Sequence, residues 1–186
     1  MDRSSAPHKP YVTEHRAAVN DFIRAAGQLD TATWLRPLGP DRWSPALITE
    51  HVTLSIEAAT DDAAGRAHMV LRLNAWRRFV ARTIYLRRLL KTGVFPPGIR
   101  SPRETRPSAT PHTQAESLEN LKRALAIFET TLAAHPAPAR CRLTHPYFGS
   151  LPLITGLRLL TLHAQHHQAQ LPRRSAGESG PQGAPA

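Results

Sequence analysis

Leu151-Pro152-Leu153-Ile154-Thr155-Gly156-Leu157-Arg158-Leu159-Leu160-Thr161-Leu162-His163-Ala164-Gln165-His166-His167-Gln168-Ala169-Gln170-Leu171 carries the architecture of this chain in its spacing. Leu153, Leu157, Leu160, Ala164 and Leu171 recur at intervals of three, four and seven, the signature of one helix face. The spacing predicts a helix over 151–171, stopped by Pro172. His163 and His167 sit four residues apart, one turn from each other on that same apolar face. Two imidazoles at this spacing can bind one metal ion. A buried histidine bonded to a backbone carbonyl is the plainer reading of the same pattern. His166, on the other flank of His163, rivals His167 as a ligand.

Upstream of this helix, breakers divide the chain into further helical segments. Val12, Ala18, Val19, Phe22, Ile23, Ala26 and Leu29 predict a first helix over about 12–29. Arg42-Trp43-Ser44-Pro45 reads as the start of a second, running to about Ala64. Ser44 can cap the free amides there, and Pro45 suits a first turn where its missing N–H costs nothing. Met69, Leu73, Trp76, Val80 and Ile84 predict a helical piece over 67–91. Five prolines and two glycines between Gly93 and Pro111 then mark a loop. Leu118, Leu121, Leu125, Phe128 and Leu132 predict another helix, over about 113–134. The period is helical throughout, and the fold class expected is all-α. Residues 172–186, rich in Gly, Pro and Ser, are expected to be a disordered tail.

The 186 residues carry 24 Lys+Arg against 14 Asp+Glu, a formal charge of +10. Residues 66–106 hold 11 of those cations and a single acid, Glu104, so this one segment accounts for an excess as large as the whole chain's. It reads as a solvated basic face, as an anion-binding crossover, or as a contact for nucleic acid or an acidic membrane. Membrane contact requires Trp76 and Phe79 to be exposed. DNA binding requires a steep loss of affinity with salt. One cysteine, Cys141, excludes a disulfide framework and any CxxC-type site. No apolar run approaches the roughly 18 residues of a membrane-spanning helix. The polar start, Met1 to Pro10, has no apolar leader core, so a cytoplasmic setting is expected.

His51, in Ile48-Thr49-Glu50-His51-Val52, joins the inward stripe of Ile48, Val52, Ser55 and Ala59 on the second helix. Three histidines directed into one helical core are costly unless their ring nitrogens are satisfied. A divalent ion does this and binds neutral imidazole well. Three protein ligands leave positions open for water or substrate, the catalytic pattern. Zinc, nickel and iron(II) suit three imidazoles alike. Among the other histidines, His145 reads as structural, and His8, His15, His68, His112 and His135 as surface or terminal residues. Glu50 reads as solvated, Cys141 as unreactive, and Gln170 as a candidate hydrogen-bond partner one turn beyond the pair.

Two motifs resemble the DinB-like superfamily of metal-binding four-helix bundles. One is Trp43-Ser44-Pro45-Ala46-Leu47-Ile48-Thr49-Glu50-His51. The other is His145-Pro146-Tyr147-Phe148-Gly149-Ser150-Leu151 followed by His163, His166, His167, Gln170 and Leu171. The resemblance covers about residues 12–171. It implies a single four-helix-bundle domain with a long, partly helical crossover between helices 2 and 3 at about 66–111, preceded by a flexible 1–11. It implies His51, His163 and His167 as the metal ligands, and a homodimer. It also implies a low-molecular-weight thiol (mycothiol, bacillithiol or glutathione) as a co-reactant. The function expected is a thiol-dependent transferase, or a metal-dependent hydrolase, acting on a small electrophile. The alternative is a non-catalytic metal- or ligand-binding protein of the stress-response type, whose basic crossover holds an anionic partner. Nucleic acid is the less favoured partner.

Overall fold

The computed structural model describes residues 6–66, 69–96, 101–108 and 110–173. Four long helices form the body: α1 (Lys9–Ala26), α3 (Pro45–Ala63), α6 (Gln114–Ala134) and α7 (Leu153–Gln168). A short α2 (Thr31–Leu35) lies between α1 and α3, and α4 (Ala75–Val80) and α5 (Arg87–Thr92) lie in the crossover between α3 and α6. The fold is the expected all-α four-helix bundle with a long crossover between its second and third long helices. The start of α1 at Lys9 places part of the 1–11 segment inside a helix, and residues 1–5 lie outside the described residues. So do 174–186, the greater part of the expected tail, and His68.

Local chemistry starts each long helix. Ser44 Oγ accepts from the Leu47 amide and Pro45 occupies the first turn of α3. Thr113 and Glu116 form a reciprocal capping box at the head of α6. Gln114, the first residue of α6, donates its side-chain amide to the carbonyls of Ala26 and Leu29, so α6 begins where α1 ends. The end of α1 and the start of α6 therefore meet at one pole of the bundle, and only a long crossover can return the chain there after α3. α1 packs chiefly on α7 and α3 on α6. Phe22, Ile56, Leu121, Phe128 and Leu157 fill the middle, and Trp34 of α2 closes the pole with its indole N–H on the His112 carbonyl.

Three expectations need correction. The last helix does not begin at Leu151. Arg142–His145 (β1) and Gly149–Pro152 (β2) pair as an antiparallel hairpin, and α7 starts at Leu153. Leu151 is buried between exposed Ser150 and Pro152, and Leu143 is buried between exposed Arg142 and half-buried Thr144, a two-residue period too short to stand out beside the helical one. The 67–91 segment is helical only from Ala75, with π-helical winding over Ala81–Leu86. That wider turn rephases the helix, so that Ala81, Leu86 and Leu89 are buried while Trp76 and Ile84 of the expected stripe face outward. Finally, His15 is not a surface residue: it is 1% exposed, edge-on to Phe128 in the core.

Gly156 fixes how closely the hairpin sits on α7. A Cβ there would lie 2.8 and 2.9 Å from Leu143 side-chain carbons. Overpacking of this kind costs about 1–3 kcal/mol, against a gain of up to ~1 kcal/mol from removing glycine from a helix. Gly156→Ala is therefore expected to lower the urea midpoint, and an increase would show that Leu143 can move aside.

Candidate metal centre

At the pole where α3 begins and α7 ends, the structure brings His51, His163 and His167 together. Their Nε2 atoms converge: His163 Nε2 lies 3.0 Å from that of His51 and 3.1 Å from that of His167. Each flanking ring is oriented from behind. His51 Nδ1–H donates to the Thr105 carbonyl at 2.6 Å, and His167 Nδ1–H donates to Gln170 Oε1 at 2.9 Å. Those bonds leave the Nε2 atoms of His51 and His167 as bare lone pairs directed at the third imidazole. A single proton on His163 Nε2 can satisfy only one of them.

A cation satisfies all three. Two ligands on a tetrahedral zinc lie roughly 3.3 Å apart, from a metal–nitrogen bond of about 2.0–2.1 Å. The three-histidine cluster could therefore hold a metal ion, and both flanking rings have the outer hydrogen-bond partners that metal-ligating histidines use.

Burial sets the charge state. It pushes His163 well below the ordinary histidine value, with the neighbouring imidazoles of His167 and His51 adding to the effect. His167 falls to about 3, chiefly by burial. His51 is lowered by burial too, against the opposing pull of the Thr105 carbonyl. All three rings are neutral near pH 7, the form that ligates.

Gln170 separates the two rival histidines. Its amide oxygen accepts from His167 while its amide N–H donates to His166 Nε2 at 3.0 Å. His166 is thus occupied by an amide and rests against Phe95, outside the convergence. His145 has the structural place expected of it: its Nδ1 accepts from the Tyr147 and Phe148 amides and holds the hairpin turn. Cys141 is buried, and burial together with nearby Asp62 pushes its thiol up, away from reactivity.

Other parts of the site were not legible in residue type. Thr105, in a one-turn helix of the crossover (Arg103–Thr105), contributes a backbone carbonyl, which any residue possesses. Glu50 is not simply solvated. Its carboxylate accepts from the Ser108 amide and hydroxyl, tying the returning crossover to α3 one residue before His51. Trp43 lies with its ring centre 5.0 Å from that of His51.

The cluster opens into a cavity of about 1020 Å³ between the bundle, the hairpin and the crossover. Arg42, Arg77 and Arg106 line it, as do Trp43, Tyr85 and Phe148. It is large enough for a drug-sized ligand, and aromatic walls with a few convergent polar groups are the usual makeup of such sites.

Fold and site together define a helical-bundle protein with a buried three-imidazole centre at the floor of a cavity. The chain belongs to the DinB superfamily, whose family model matches residues 14–171. Among solved structures it is similar to TT2238, a four-helix bundle protein, at 20% identity and a TM-score of 0.53, covering 87% of this chain and 94% of that one. It is also similar to a histidine-to-alanine mutant of the mycothiol-dependent maleylpyruvate isomerase, at 13% identity and a TM-score of 0.58. That match covers 89% of this chain and 61% of the isomerase chain. No curated protein sequence matches significantly.

Proposed function

We propose that this protein is a metal-dependent enzyme that uses a low-molecular-weight thiol to transform a small electrophilic substrate, as a transferase or in a related hydrolysis. One observation carries the proposal: three neutral imidazoles bring their Nε2 atoms together at one point on the wall of a large cavity, with more lone pairs there than one proton can satisfy. His51, His163 and His167 would hold the ion, zinc, nickel or iron(II) by ligand type. A divalent ion there supplies Lewis acidity, favouring the deprotonated form of a thiol or water at neutral pH. The residues of the chain do the rest. Thr105 and Gln170 hold the flanking rings in the ligating tautomer. Arg42, Arg77 and Arg106 place cationic groups where a thiol or substrate bearing carboxylates would lie. The likeness to a mycothiol-dependent isomerase supports the thiol.

Loading the protein with cobalt(II) makes the reading visible. Adding mycothiol, bacillithiol or glutathione in turn should produce a sulfur-to-cobalt charge-transfer band with one of them, and that thiol should then be consumed with a small electrophile. Cobalt bound with no band and no thiol-dependent turnover would favour the non-catalytic binding protein instead.

A further inference from the structure

Residues 75–92 form an outer helix of unusual composition: six cations, Arg77, Arg78, Arg82, Arg87, Arg88 and Lys91, and no acid. Its inner side is settled, with Ala81, Leu86 and Leu89 packed against Phe148, Leu151 and Leu159. Arg78 also turns inward, donating to the Leu73 carbonyl. The outer side is not wholly polar, as the solvent face of a surface helix ordinarily is: large apolar side chains stand among Arg77, Arg82, Arg87, Arg88 and Lys91. Trp76 is 71% exposed, Phe79 60%, Ile84 58% and Tyr85 53%. Trp76 and Phe79 are stacked on each other, and Val70, Leu71 and Val94 extend the exposed apolar surface at either flank. Within the π-helical winding Ala81 and Leu86 turn to the bundle while Ile84 and Tyr85 are left outside.

We infer that this helix docks the protein on an anionic membrane surface. Large aromatic and aliphatic side chains interleaved with exposed arginine and lysine are the composition of interfacial helices, and each cation beside anionic lipid strengthens binding roughly five-fold. The exposed Ile84, Val70, Leu71 and Val94 argue for hydrocarbon rather than stacked bases, since aliphatic side chains offer bases no ring to stack on. The charge argues against a second copy of the chain on this face, because two such helices would repel. The contact lies at the cavity rim, since Trp76, Arg77 and Tyr85 also line the cavity. The inference does not depend on the metal or on catalysis.

The full chain would be sedimented with vesicles of phosphatidylcholine alone or with about 30% phosphatidylserine. Binding should be at least ~10-fold stronger to the anionic vesicles and fall at least ~10-fold as salt rises from about 0.05 to 0.5 M. Trp76 fluorescence should shift to the blue on binding. Phe79→Ser with Ile84→Ser, and separately Arg87→Glu with Arg88→Glu, should each abolish sedimentation while the helical circular dichroism of the protein stays unchanged. Equal binding to both vesicle types, or none to either, would overturn the inference. So would a self-association that the Phe79→Ser, Ile84→Ser variant abolishes, or tighter binding of single-stranded RNA than of vesicles through the same residues.

Discussion

His163→Ala should lose divalent metal almost completely after reconstitution with zinc and gel filtration, measured by elemental analysis. His163 is the hinge of the cluster, since its Nε2 makes both close approaches, to His51 and to His167. Without it the two remaining imidazoles cannot surround an ion. Loss of an outer hydrogen-bond partner typically lowers metal affinity about 10–100-fold, so loss of the central imidazole of the proposed ligand set should exceed 100-fold. Three companions make the result specific. His51→Ala should behave like His163→Ala. Gln170→Leu should fall in the ~10–100-fold range, because it frees the His167 ring without removing a ligand. His166→Ala should keep its metal, because that ring is bonded to the Gln170 amide rather than turned to the centre. Full occupancy in His163→Ala, or loss in His166→Ala matching that in His51→Ala, would move the ligand set elsewhere.

Acid should destabilise the wild-type protein more than a His15→Leu variant, by up to about 3 kcal/mol, with the other buried histidines contributing equally to both. His15 is buried, and neither ring nitrogen has a hydrogen-bond partner among the described residues. Burial lowers its pKa from 6.5 to about 4. The unfolded chain therefore takes up this proton as pH falls through 6.5, while the folded chain resists until about 4. The contribution to stability is complete above pH 6.5 and is lost progressively between there and 4, to a limit of about 3 kcal/mol. Leucine has similar bulk and no polar atoms. His15→Leu should be neutral or stabilising near pH 7.5, since it removes two unsatisfied buried groups, and should show a flatter loss of stability down to about pH 5. Urea unfolding of metal-free protein at the two pH values measures both effects. A variant destabilised at neutral pH with an unchanged acid slope would mean that the ring is partnered in solution.

These two histidines also mark where reading the chain succeeds and where it stops. His163 and His167 were legible because they fall on a long, regular apolar stripe, where a four-residue interval fixes relative direction. His51 was legible for the same reason on α3, where Ser44-Pro45 marks the helix start and so sets the register. His15 lies on an equally helical segment and was misplaced. It stands four residues before Val19 and seven before Phe22, on the buried stripe of α1, so the same periodicity marked it as inward-facing and its residue type alone argued for the surface.

Local periodicity and breakers were enough for the helical class and for placing His51, His163 and His167 on inward helix faces, because each rests on interactions within a few residues along the chain; the meeting of His51 with His163, 112 residues apart, is a tertiary contact. The tertiary structure alone settled the rest. Thr105 orients His51 from 54 residues away through a backbone carbonyl, so no residue type could announce it. The hydrogen bonds that turn His167 toward the other two rings and hold His166 aside come from the last turn, where one amide reaches both rings. The outward face of the crossover helix needed the π-helical winding, because five-residue spacing buries Ala81 and Leu86 together only where the helix is wider than 3.6 residues per turn. The Thr105 contact joins residues distant in sequence, the Gln170 contacts turn on side-chain placement within one helical turn, and the crossover helix departs from the regular helical period.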